Sequence, residues 1–200
     1  MLELNVNNET SKLLAVVLGT AKSNGPAPEL EECYDPKSRE NVLANTYPIE
    51  IDMVSELNQL EDVLLKHNVK VYRPEVINDY NQIFSRDIGF VIDDFFIVSN
   101  ILPERSKEIL AIDKVIDLIQ KNKIIELPED CHIEGGDVIL HNDYVFIGTY
   151  DGKDYSSFKT ARTNYQAIKF LKERFSEKKI ISFDLIKSDL ESTKNALHLD

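Results

Sequence analysis

Three observations predict an α/β fold built from repeats in this 200-residue chain. Apolar stripes recur at helical spacing, a short β-branched run follows each stripe, and the same order of elements returns along the chain. The first stripe is Met53, Leu57, Leu60 and Leu64, leading through Lys66-His67-Asn68 into Val69-Lys70-Val71-Tyr72. The second is Ile109, Ile112, Ile116 and Ile119, followed by Lys121-Asn122-Lys123 and Ile124-Ile125-Glu126-Leu127. The third is Tyr165, Ile168, Leu171 and Phe175, followed by Glu177-Lys178-Lys179 and Ile180-Ile181-Ser182-Phe183. Each helix is expected to bury one face, and each following strand is short. The strands begin at 69, 124 and 180, separated by 55 and 56 residues.

A second element precedes the later two helices. Ser85 to Ile92 runs through Asp93-Asp94 into Phe95-Phe96-Ile97-Val98, and Glu134 to Leu140 runs through His141-Asn142-Asp143 into Tyr144-Val145-Phe146-Ile147. Both read as strand, polar turn, strand. The unit is therefore ββαβ. Pro103-Glu104 marks the opening of the second helix, and Thr163-Asn164 offers capping oxygens to the third. The stretch from Lys22 to Pro48, with Pro26, Pro28, Pro36 and Pro48, reads as a long loop. Residues 1–200 are taken as one domain.

Lys and Arg total 23 against 35 Asp and Glu, a net charge of −12. With no basic cluster, nucleic acid and anionic membrane are poor partners. No apolar run approaches the length of a membrane span, and Met1-Leu2-Glu3-Leu4-Asn5 lacks the layout of a signal peptide. Two cysteines, Cys33 and Cys131, make no disulfide framework and fit a reducing, cytoplasmic setting.

A quasi-symmetric array brings equivalent strand starts together at its centre. Asp87 and Glu134 stand at corresponding hairpin entrances, so their carboxylates are expected to converge, and His198-Leu199-Asp200 stands at the next entrance. Clustered buried carboxylates need cations or protons, and a planar guanidinium offers donors that two carboxylates can grip. Simpler readings compete at each position. Asp87 also reads as an N-terminal cap or a surface salt-bridge partner of Arg86, the glycines of Glu134-Gly135-Gly136-Asp137 also suit a tight turn, and His198 also reads as a solvated histidine. Arg162 has a competing surface role, pairing with Asp151 or Asp154. His132, Glu134 and His141 match no common metal-ligand spacing, so no metal is expected.

Four segments together resemble the guanidino-modifying superfamily of arginine deiminases, dimethylarginine hydrolases and amidinotransferases: Asn81 to Phe90, His132 to Val138, Thr160 to Asn164, and His198 to Asp200. The resemblance runs from about Leu13 to the last residue. It implies a five-fold ββαβ propeller, the pentein fold, with about three of five units present here. It also implies that Asp87 and Asp200 bind the substrate guanidinium, that His198 is the acid–base group oriented by Glu134, and that Arg162 holds the substrate carboxylate.

In that superfamily a cysteine thiolate attacks the guanidinium carbon, and water or an acceptor amine resolves the thiouronium adduct. Neither Cys33 nor Cys131 stands at the family position, which lies in a later unit, so the chain is expected to end before the nucleophile. Cys131, just before the Glu134 motif, is weighed as a stand-in nucleophile against an inert thiol. The function expected from the resemblance is hydrolysis of a guanidine C–N bond in arginine or a modified arginine, without a cofactor. The alternatives are amidino transfer to an amine, or a non-catalytic fragment that binds guanidino ligands. Open strand edges and apolar helix faces also invite association with further chains, including copies of this one.

Overall fold

Eight strands form three separate sheets in the computed structural model, which describes residues 1–155 and 158–200. The second unit opens with β1 and β2 already behind it. β1 (Ala15–Val17) pairs in parallel with β2 (Lys70–Tyr72) across a connection carrying two helices, α1 (Pro36–Leu43) and α2 (Glu50–Lys66). The second unit is β3 (Gly89–Ile92), antiparallel to β4 (Phe95–Val98), which is parallel to β5 (Ile124–Glu126). Two short helices, α3 (Lys107–Leu110) and α4 (Asp113–Ile116), cross between β4 and β5. The third unit repeats the pattern: β6 (Val138–His141) antiparallel to β7 (Tyr144–Thr149), then α5 (Tyr165–Arg174), then β8 (Lys179–Asp184) parallel to β7.

The hairpins close where their turn residues accept a left-handed backbone. Asp93 has φ 53° and Asn142 has φ 56°, conformations that short polar side chains tolerate better than most. Asn68, at φ 57°, ends α2 in the same way. Asn164 caps α5, accepting from the Ala167 amide at 3.1 Å as its position in the sequence predicts. The N-terminal segment straps both hairpin tips, with Val6 bridged to Asp93 and Asn8 bridged to His141.

The main core lies between the second and third units. Ile92, Ile97, Ile133, Val145, Ile147 and Leu171 are fully buried there, and α5 contributes Ala167 and Ile168. Burying an aliphatic side chain of this size stabilises by about 1.5–3 kcal/mol before entropy is charged against it.

Three local expectations need correction. The segment from Lys22 to Pro48 is not all loop, because Asp35 caps α1 by accepting from the Lys37 and Ser38 amides, with Pro36 in the first turn. The single helix expected over 109–119 is broken, since Ile112 (φ −106°, ψ 9°) interrupts it between α3 and α4. The stripe on α2 is only half covered: no residue of α2 is buried and Leu60 is 47% exposed. Its sheet has just two strands, which leaves the helix little surface to lie on. The first unit is accordingly βαβ, without the hairpin that the sequence places before the later two helices, and β1 has no antiparallel neighbour strand among the described residues.

Candidate active site

The entrances of the two hairpins are stitched together through their backbones. Gly135 N–H donates to the Asp87 carbonyl at 3.2 Å, and a Cβ on Gly135 would sit 2.1 Å from the Arg86 carbonyl oxygen. Only glycine allows that approach. The contact sets Asp87, 5% exposed, beside Glu134, fully buried, so the expected convergence is present. Gly136 opens space for the third member: a Cβ there would meet the His198 ring at 2.8 Å and Asp87 Oδ1 at 3.0 Å.

His198 Nε2 lies 2.8 Å from Glu134 Oε2 and 3.8 Å from Asp87 Oδ1. One donor atom from each of Asp87, Glu134 and His198 falls within 4.8 Å of the others. Such a triad is close enough to share a cation, and two guanidinium groups already supply the charge. Arg162 Nη1 donates to both Glu134 oxygens at 3.0 Å. Arg105 Nη1 donates to Asp87 Oδ2 at 2.9 Å and stands 3.6 Å from Glu134, while its Nε and Nη2 hold Glu108 at 2.7 and 3.1 Å. The carboxylates of the triad are thus balanced by two guanidinium groups.

These charges tune one another. Burial alone would raise the Glu134 carboxyl, but Arg162, the His198 hydrogen bond and Arg105 overcome it and hold it down at about 2. Burial would likewise lower His198, yet the Glu134 hydrogen bond and the Asp87, Glu134 and Asp137 charges raise it above the usual imidazole value. The pair is thus an ionised carboxylate facing a readily protonated imidazole. Asp137 is pushed up to about 6 by burial. Its Oδ2 accepts from Thr163 Oγ1 at 2.6 Å, Oδ1 has no hydrogen-bond partner among the described residues, and Thr163 Oγ1 in turn accepts from Glu134 N–H at 3.3 Å.

Two predicted site residues are placed differently from the triad. Arg162 is 2% exposed and spends its guanidinium on Glu134 and on the Lys159 and Tyr34 carbonyls, so the surface pairing with Asp151 or Asp154 is not formed. Asp200 is tied at its backbone, N–H to the Gly136 carbonyl at 3.2 Å, but its carboxylate lies out by Arg86 Nε at 3.6 Å and is 45% exposed. Cys131 is buried in the main core, and burial followed by Asp130 raises its thiol pKa; burial raises Cys33 as well. Arg105 and Glu108 escaped the sequence reading. Their only signal was opposite charge at i, i+3, which ordinarily marks a solvated helix face.

No protein-family model matches the chain. Over 147 residues it is 32% identical to the uncharacterized protein YkgA of Bacillus subtilis strain 168, covering 72% of this chain and 44% of that protein. Among solved structures it is similar to the inosamine-phosphate amidinotransferase StrB1 of Streptomyces griseus, with TM-score 0.67, 15% identity, and coverage of 94% of this chain and 64% of that one. It is also similar to the substrate-bound N-terminal domain of ArgZ, an arginine dihydrolase of the ornithine–ammonia cycle in Cyanobacteria, with TM-score 0.64, 14% identity, and coverage of 87% and 59%. The chain shares the α/β pentein fold of these structural neighbours. It spans 44% of the length of the curated relative and less than two thirds of these structural neighbours. No helix among the described residues is long and apolar enough to cross a membrane.

Proposed function

We propose that the chain carries the guanidinium-binding and proton-transfer part of a guanidino-modifying site acting on arginine or a modified arginine. The observation that carries this reading is the meeting of Asp87, Glu134 and His198 at one point, with Glu134 ionised and His198 raised. Asp87 binds the substrate guanidinium by charge-assisted hydrogen bonds, after Arg105 has released it, and Asp200 approaches from the rim. His198, held by Glu134, donates a proton to the departing amine. The structural neighbours include both an arginine dihydrolase and an amidinotransferase, and hydrolysis of the guanidine C–N bond is the first reading, with amidino transfer as the second.

The covalent route implied by the resemblance needs a thiolate. Both cysteines of the chain have raised thiol pKa values and neither belongs to the Asp87–Glu134–His198 cluster, so the reading assigns the chain binding and proton transfer rather than nucleophilic attack. Calorimetric titration with L-arginine tests it. Binding to the chain is expected, and Asp87→Asn should weaken it by about 1.5–3 kcal/mol, the worth of a hydrogen bond to a charged group. Equal affinity in the two proteins would remove Asp87 from the role, and citrulline or ornithine formed by the chain would restore a cysteine to it.

A further inference from the structure

His198 reaches Glu134 on a segment that belongs to no strand or helix. After β8 ends at Asp184 the chain passes through a short 3-10 turn, Ser192–Lys194, and returns beside residues 185–188. Few backbone bonds hold it there: Ala196 N–H to the Ile186 carbonyl at 2.8 Å, and Asp200 N–H to the Gly136 carbonyl at 3.2 Å. Asn195 adds its side-chain oxygen, accepting from Ser188 N–H at 3.2 Å. Between these anchors stands one cation. Lys187 Nζ donates to the Ala196 carbonyl at 2.9 Å and to the Leu197 carbonyl at 2.7 Å, the two carbonyls immediately before His198.

We propose that Lys187 is the positioning residue for His198, gathering these two carbonyls so that the imidazole is aimed at Glu134. A lysine on a surface ordinarily leaves its ammonium in water, because ordering its long side chain costs rotamer entropy. Here the side chain is half-buried, and burial, its largest influence, lowers its pKa. Asp137, Glu134 and Asp184 face it and favour its charge, while Arg162 opposes it. Charge-assisted bonds to two carbonyls offset part of what burial takes away. The same bonds restrain the ends of the peptide that leads into His198. The segment has no ladder of its own to do so.

The inference rests on His198 being the acid–base group of the proposed site, but its test needs no substrate. The titration of the His198 ring is followed by NMR in the full chain and in Lys187→Arg, Lys187→Gln and Lys187→Met. Glu134→Gln serves as the reference that removes the contact directly. The wild-type midpoint is expected above the ordinary imidazole value of about 6.5, and Glu134→Gln should bring it down. Lys187→Met, which keeps the stem and loses every donor, should move it down by about one pH unit or more, Lys187→Gln by less, and Lys187→Arg hardly at all.

An unchanged midpoint in a folded Lys187→Met protein overturns the proposal, as does an unchanged midpoint in Glu134→Gln. If the methionine variant fails to fold, Lys187→Gln against Lys187→Arg decides, and equal midpoints there overturn it. Absence of arginine binding by the wild-type chain would count against the proposed function and leave this titration standing.

Discussion

Arg105 Nη1 donates to Asp87 Oδ2 at 2.9 Å, so the carboxylate expected to receive an external guanidinium already holds an internal one. Arg105 is 7% exposed and shares Asp87, Glu108 and Glu134. Removing it strands several buried charges at once, the situation in which breaking a buried ion pair costs about 3–5 kcal/mol. Arg105→Met is therefore expected to lower the thermal midpoint sharply. Millimolar guanidinium, too dilute to denature, should restore part of the loss where equal sodium chloride does not. A variant as stable as wild type, or one rescued equally by both salts, would show that the cradle does not depend on a planar cation.

Gly136 sets how closely His198 approaches Asp87. An added Cβ would meet the imidazole Cγ at 2.8 Å, Nδ1 at 2.9 Å and Asp87 Oδ1 at 3.0 Å. Its φ is not in the left-handed region, so alanine carries no backbone penalty there. The clash falls on a side chain borne by a weakly anchored segment, which yields before the core does. Gly136→Ala should thus cost little stability, about 1 kcal/mol or less, yet weaken L-arginine binding about tenfold or more. Calorimetry and thermal melting on the same sample separate the two effects, and unchanged affinity would place His198 outside the binding site.

The pattern of repeats was legible because it is written in apolar spacing and turn residues, which act locally. The Asp93 and Asn142 turns and the Asn164 cap appear where the sequence puts them, and the strands after the helices begin at 70, 124 and 179, each within one residue of the expected 69, 124 and 180. Convergence of Asp87 and Glu134 followed from equivalence of hairpin entrances, and Gly135 supplies the close backbone contact that realises it. Arg105 was illegible for the opposite reason. Its importance comes from burial against Asp87 and Glu108 of its own unit and Glu134 of the next, and Pro103-Glu104-Arg105 looks like any exposed helix start. The break at Ile112 and the half-covered α2 are likewise set by tertiary packing, which overrides an apolar stripe.

Asp137 gives a pH dependence with a definite sign. Its folded pKa is raised from 3.8 to about 6 by burial, so the folded state binds the proton more tightly than the unfolded chain does. The contribution is fully favourable below the unfolded value and is lost as pH rises through the interval from about 4 to about 6. Two pKa units correspond to roughly 3 kcal/mol. Asp137→Asn keeps an oxygen for Thr163 and removes the titration. Denaturant midpoints measured across that interval should therefore fall for the wild type relative to the variant. Parallel curves would mean that the Asp137 carboxyl titrates alike in both states.

The last prediction concerns Cys131, which lies three residues before Glu134 and so is the thiol closest to it in sequence. Three residues span up to about 10 Å when extended, and the chain uses them to turn the thiol away. Cys131 packs in the core with Ile133, 4% exposed, and its Sγ contacts Asp130 at 3.8 Å rather than any member of the triad. Burial and the Asp130 charge both disfavour the thiolate, which is the reactive form. Cys33, whose thiol donates to the Glu29 carbonyl at 3.5 Å, is raised by burial in the same way. Both thiols should react with an aromatic disulfide reagent at least about tenfold more slowly in the native chain than after unfolding, when two titrate. A thiol that reacts fast in the native protein, and is lost in Cys131→Ala, would return that residue to the chemistry as its nucleophile.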